Sequence, residues 1–223
     1  YSAQQIGDVT PDNPFVGFPY TKLMTASAFI DQSAAFIVVS EARADALGIA
    51  RDKRVYLHGE AHAHDQWFVS DRLRLDRSPA MRLSARAALA QSGKSIEQVG
   101  AFDIYSCFPS AVQIACNELG ISPDDPRGLT VTGGLPYFGG PGSNYVTHAI
   151  AEMVQRMRAQ PGTYGLVMAN GGLVTKESVG VFSTEPLTRH FTRADSDAIQ
   201  REIDREAKAP VAVEPKGEAT IES

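Results

Sequence analysis

The sequence predicts an α/β layered domain in which a mixed sheet of five strands is covered by helices. Short β-branched or aromatic runs alternate along the chain with stretches of helical spacing, the order expected of layers rather than of a bundle or a sandwich. Glycine or proline punctuates nearly every junction between them. The 223 residues are 43% hydrophobic, enough for a substantial core.

The chain up to about Lys22 carries Pro11, Pro14 and Pro19 among polar residues and reads as irregular surface chain. Ala34 to Ser40, AAFIVVS, is a continuous apolar run, the pattern of a strand covered on both faces. Glu41 to Leu47 follows as a short helix closed by Gly48. Arg54 to His64 reads as a second strand, with Val55, Leu57 and Gly59 alternating against Tyr56, His58 and Glu60.

Ser78 caps a helix with Pro79 in its first turn, and Met81, Leu83, Ala87, Ala88 and Leu89 supply its buried side as far as Gly93. Val99 to Tyr105 is the next strand, and Phe108 to Leu119 a helix stopped by Gly120 and the turn SPDDPRG. Asn144 to Gln160 repeats Val146, Ala149, Ile150, Met153, Val154 and Met157 at the spacing of one buried stripe. Tyr164 to Ala169 and Val179 to Phe182 then read as two strands joined by a turn.

Ser196 to Lys208 has helical character without a strong apolar stripe, and the closing PVAVEPKGEATIES begins to alternate like a strand of a further domain. The organisation expected is therefore the end of one domain over residues 1–50, a second domain over 51–185, and a charged linker over 186–223. No short-period repeat is present.

A formal net charge of -5 and the lack of any basic tract argue against a nucleic-acid partner and favour a small-molecule ligand. No apolar run reaches about 18 residues, so no spanning helix is expected, and the N-terminus lacks the order of a signal peptide. The two cysteines, Cys107 and Cys116, flank one helical turn system, which disfavours a disulfide and fits a reducing cytoplasm.

Three segments carry chemistry. Gly133 to Tyr145, GGLPYFGGPGSNY, precedes a helix, where free N–H groups favour an anion or a thioester oxygen; the alternative is a tight turn with Ser143 capping the helix. Tyr105, Ser106 and Cys107 leave a strand and enter a helix, a geometry that lowers a thiol's pKa, although no histidine close in sequence can serve as base and a buried free cysteine is the alternative. Cys116 is core. His58, His62 and His64, with Asp65, read as solvated side chains rather than a metal site, and His148 as surface; no metal is expected.

The order of these motifs resembles the C-terminal half of the thiolase superfamily, in its sterol-carrier-protein-thiolase-like and mycobacterial branches, over roughly Thr21 to Glu185. MTASAFIDQSAAFIVVSEARADALGI resembles the family's TAGNAS segment and DGAAA strand, which implies that Ser27 lies near the pantetheine arm of coenzyme A. YSCF, Tyr105 to Phe108, corresponds to the NEAF or HDCF motif, with tyrosine where asparagine or histidine orients the catalytic water. The family's GGLxxxGHPxG loop corresponds to Gly133 to Ser143, where Gly139 and Pro141 match and Gly140 replaces the histidine. Asn170 stands in place of a second cysteine ahead of Gly171 and Gly172, and a carboxamide does not exchange a proton near neutral pH.

The resemblance implies a thiolase-like acyltransferase, of the acetyl-CoA acetyltransferase family, or its C-terminal half. Its substrate would be coenzyme A or an acyl-CoA thioester, with no covalently bound cofactor. Tyr105, Cys107 and Asn170 would be the catalytic positions, and Ser27, Gly139, Gly140 and Gly171 the ligand-binding ones. A role in lipid metabolism follows, with an N-terminal half supplied elsewhere in a longer protein or by a partner subunit, and a homodimer as a family habit. Two other functions remain open: a retro-aldolase cleaving a β-hydroxyacyl-CoA side chain through Tyr105 or Tyr137, and an acyl-CoA or lipid-binding protein without catalysis.

Overall fold

The computed structural model describes residues 1–221. After a short helix α1 (Ala3–Gly7), the chain forms a small hairpin, β1 (Phe15–Gly17) and β2 (Tyr20–Thr21), and a helix α2 (Glu41–Ala46). The main body follows as β3 (Tyr56–His64), α3 (Pro79–Ser92), β4 (Val99–Ile104), α4 (Pro109–Leu119), α5 (Tyr145–Ala159), β5 (Tyr164–Gly171), β6 (Lys176–Ser183) and α6 (Ser196–Ile203).

Its sheet has the order β3-β6-β5-β4, in which only β4 and β5 run parallel. A mixed sheet follows from connectivity: the helical crossover through α4 and α5 returns the chain in the same direction, while the tight β5–β6 turn reverses it. Helices cover both faces. Met81, Ala85 and Ala88 of α3 and Ile114 and Ala115 of α4 pack on Leu166, Met168, Val179 and Val181, whereas Tyr145, Ala149, Met153 and Met157 of α5 pack on Ala101 and Val167 on the other side.

Local chemistry sets the boundaries. Ser78 accepts from the Met81 N–H with Pro79 in the first turn, and Gly93 and Gly120 end α3 and α4 in the left-handed conformation. Gly59 lets α3 lie against β3: a Cβ there would sit 2.0 Å from the Ala88 carbonyl oxygen.

Among the described residues the sheet has four strands, not five. Ala34 to Ser40 is extended but unpaired, with Ile37 84% and Val38 82% exposed, rather than a strand covered on both faces. The reason lies at the sheet edges. Ser196 and Gln200 of α6 accept from the His62 and His64 N–H groups beside β3, and the Leu129 carbonyl takes the Ile104 N–H beside β4, so neither edge is open to another strand. An apolar run specifies an extended segment; it does not supply a partner.

The charged segment after Glu185 carries α6, which docks on β3 and α3 through Ile203, buried beside Ala63 and Ala80. Of the closing stretch expected to begin a strand, Pro210–Ile221 forms neither helix nor strand, and Glu222 and Ser223 lie outside the described residues. Among the described residues no helix is long and apolar enough to cross a membrane.

Candidate active-site cavity

The three sequence segments meet at one end of the sheet. A cavity of about 920 Å³ opens there, walled by Tyr105 after β4, Gly142 and Ser143 of the glycine-rich loop, Val146 of α5, and Ala169 to Gly172 at the end of β5. Its far side is formed by His62, His64 and Trp67, with α6 contributing Ser196, Asp197 and Gln200.

Asp103 fixes the loop. It is fully buried, and its Oδ2 accepts from Thr130 Oγ1, the Val131 and Thr132 N–H groups and Thr132 Oγ1 at 2.9 to 3.2 Å, while Oδ1 accepts from Tyr145 Oη at 2.9 Å. One carboxyl thus ties β4 to the start of the loop and to the first residue of α5. Ser106 Oγ then accepts from the Leu135 N–H at 3.0 Å.

Tyr105 reaches the cavity with its ring edge-on to Tyr145, centroids 5.4 Å apart; burial pushes its phenol above the ordinary value, and Cys107 adds to the rise. Asn170 and Gly171 also line the cavity. Cys107 does not. It packs into the cluster around Tyr145, and burial, reinforced by Glu177, pushes its thiol up against the pull of the neighbouring N–H groups. Of the two readings of Cys107, burial favours the buried free cysteine over the activated thiolate: the strand–helix junction is present, but desolvation outweighs it.

Ser27, Gly139 and Gly140 do not line the cavity and form a second cluster. The Ala26 N–H donates to the Cys107 carbonyl, the Ser27 N–H to the Leu135 carbonyl, and the Gly140 N–H to the Ser27 carbonyl at 2.7 Å. Gly140 is thus already committed as a donor, and a Cβ at that position would lie 3.0 Å from Ala26 Cβ. Gly139 has φ +126°, and a Cβ there would meet Gln32, whose side chain donates to the Phe138 carbonyl.

Several smaller expectations change. Ser143 does not cap α5; it lies in a 3-10 turn, Gly142–Asn144, and Asn144 is the cap residue without a side-chain bond. His58 is not solvated but buried, its Nε2 2.8 Å from the Glu185 carbonyl oxygen, and His148 is buried against Phe138 rather than on the surface. Tyr137 sits half-exposed beside Tyr1, in a separate apolar groove. Cys116 is core, and both cysteines are free. Among the described residues no group of three His, Cys, Asp or Glu side chains could hold a metal ion.

The residue that sequence reasoning missed is Glu177. It lines the cavity, stands directly across from Asn170 in the β5–β6 register and from Ala63 in β3, and is 2% exposed. Its two carboxyl oxygens and both side-chain polar atoms of Asn170 are buried without a hydrogen-bond partner. Burial, with Asp65 adding and Arg72 opposing, pushes the carboxyl up to about 9. The signal lay in the period of two: Glu177 shares a face with Val179 and Val181.

No family model matches the chain. A probable acetyl-CoA acetyltransferase from Mycolicibacterium smegmatis (strain ATCC 700084 / mc(2)155) is 27% identical over 136 residues, 59% of this chain and 32% of that protein. Among solved structures, a monomeric SCP2-thiolase-like protein type 1 from Mycobacterium smegmatis superposes with a TM-score of 0.83 at 39% identity, over 93% of this chain and 45% of that one. The chain therefore spans about a third of the curated relative and under half of the solved one. In fold and in sequence the chain is thiolase-like, similar to the C-terminal half of a sterol-carrier-protein-thiolase-like protein.

Proposed function

We propose that this chain binds an acyl-CoA thioester and serves as the C-terminal half of a thiolase-like acyltransferase. The observation that carries the reading is the meeting of Tyr105, the loop at Gly142 and Ser143, and Asn170 with Gly171 on one cavity, in a fold similar to that of a sterol-carrier-protein-thiolase-like protein. The similarity to a probable acetyl-CoA acetyltransferase supports the substrate class. The N-terminal half would come from a longer protein or a partner subunit, since the chain matches under half of its solved neighbour. The free cysteines support a cytoplasmic setting, and the substrate class a place in lipid metabolism.

A second reading, retro-aldol cleavage of a β-hydroxyacyl-CoA, is favoured by one observation: at the cavity a phenol, Tyr105, is present, whereas Gly140 and Asn170 provide no base. Calorimetry with CoA and acetyl-CoA tests binding, and absence of binding removes both readings. Product analysis of the chain together with its N-terminal half separates them: acetyl-CoA from acetoacetyl-CoA and CoA supports the transferase, and a free aldehyde or ketone with a shortened thioester supports the lyase. In the lyase case Tyr105→Phe is expected to lower kcat by about 10² or more. Tight binding without either turnover identifies a non-catalytic acyl-CoA protein.

A further inference from the structure

Strand register decides which side chains face the cavity. On β5 and β6 the pairs Met168–Val179 and Asn170–Glu177 point to the face packed by α3 and α4, whereas Ala169, Gly171, Lys176 and Ser178 point to the opposite face, which carries Val167 and α5. His62 and His64 of β3 stand opposite Ser178 and Lys176 on that same face. Tyr105 follows Ile104, the partner of Met168, and so flanks Ala169. The middle strand thus offers only a methyl group and a bare backbone, between a phenol on one neighbouring strand and Lys176 with Ser178 on the other, about 10 Å apart.

Lys176 leans over that floor: a Cβ on Gly171 would lie 3.1 Å from its Cε and 3.7 Å from its Nζ. Among the described residues its ammonium enters no ion pair and no hydrogen bond, and the Ser178 hydroxyl, about 7 Å along the strand, has no partner either. Glu60, the carboxylate on the same face of β3, is taken by His62 at 3.9 Å and Arg193 at 3.4 Å. The His64 ring lies against Trp67 with centroids 4.8 Å apart and closes this side of the cavity.

We infer that Lys176, with Ser178 beside it, recognises a carboxylate on the acyl group, so that the ligand is a short acyl thioester ending in a second negative charge. This rests on the acyl-CoA reading above and adds the class of acyl group. That reading sets the thioester beside Tyr105 and Gly171, and Lys176 is one strand away from Gly171 on the same floor. A carboxylate a few carbons beyond the carbonyl reaches it, whereas the phosphates of coenzyme A lie at the far end of the pantetheine arm. An ammonium and a hydroxyl, both donors, suit the oxygens of a carboxylate.

The test is calorimetry with CoA and with two stable analogues of equal carbon count, succinyl-dethia-CoA and butyryl-dethia-CoA, which differ in the terminal carboxylate. Wild-type protein is expected to bind the succinyl analogue about tenfold more tightly than the butyryl one, the effect of one charge-assisted contact, and added salt should shrink the difference. Lys176→Met keeps the stem over Gly171 and removes the charge; it should abolish the preference while leaving butyryl and CoA binding within about twofold of wild type. Lys176→Arg should retain the preference, and Ser178→Ala should weaken it about threefold.

Equal binding of the two analogues by wild type, or an unchanged preference in Lys176→Met, would overturn the inference and leave the acyl-CoA reading intact. So would an equal loss of CoA and both analogues in Lys176→Met, which would assign the lysine to a phosphate of the coenzyme. If wild-type protein binds none of the three, the acyl-CoA reading fails and the inference fails with it. Should Lys176→Met not fold, Lys176→Gln takes its place, and a wild-type preference that added salt does not reduce overturns the inference by itself.

Discussion

Asp103 and Glu177 are both buried acids close to the end of the same sheet, yet they live in opposite circumstances. Asp103 receives hydrogen bonds from Thr130, Val131, Thr132 and Tyr145, and Glu177 receives none. The first has an environment built around it, which is how a carboxyl holds a loop in place. The second is left with its desolvation uncompensated, which is how a protein keeps a proton on a carboxyl and a polar atom available. Satisfaction marks an acid that holds structure in place, and want of a partner marks one that burial keeps neutral.

The contrast breaks first at Asp103. Asp103→Ala should destabilise the protein by about 3 kcal/mol in urea unfolding, because five donors, that of Tyr145 fully buried, lose their acceptor together. An effect below about 1 kcal/mol would mean that the loop is anchored elsewhere.

Glu177 should behave in the opposite sense. Its carboxyl titrates higher in the folded than in the unfolded chain, so the folded state holds the extra proton between about pH 4.5 and 9, and stability falls as pH rises through that window. Glu177→Gln should remove this slope, which amounts to about 2 kcal/mol between roughly pH 5.5 and 7, and should leave the variant more stable than wild type at neutral pH. Parallel stability profiles for the two proteins would show that the carboxyl is not held neutral.

Tyr145→Phe sharpens the comparison by the least. It removes one donor from Asp103 while its other donors remain, so a loss of about 1 kcal/mol is expected, with ligand binding unchanged.

Helices α2 to α6 and strands β3 to β6 were legible because their signals are local, whereas α1 and the β1–β2 hairpin fall in the stretch up to Lys22 that reads as irregular chain. Ser78 with Pro79, Gly93 and Gly120 mark helix ends by chemistry that needs no tertiary partner. The run at Ala34 misled because pairing is not local: both sheet edges are covered, and nothing in AAFIVVS records that. The cavity was half legible. Tyr105, Asn170 and Gly171 stand at strand ends where motif order placed them, but Cys107 turns into the core, a direction set by packing. Glu177 escaped notice because Lys176 and Ser178 on either side suggest a solvated turn. Only its alternation with Val179 and Val181 discloses its burial.

The bonds that join Ala26 and Ser27 to Cys107, Leu135 and Gly140 unite three stretches of chain that are far apart in sequence. Such contacts cannot form until long loops have closed, and they contribute little to a folding nucleus made of nearer neighbours such as α3 with β3. These contacts, like the β3–β6 pairing, are expected to form after the nearer ones. Substitutions along Ala26–Ser27 should hasten unfolding far more than they slow folding.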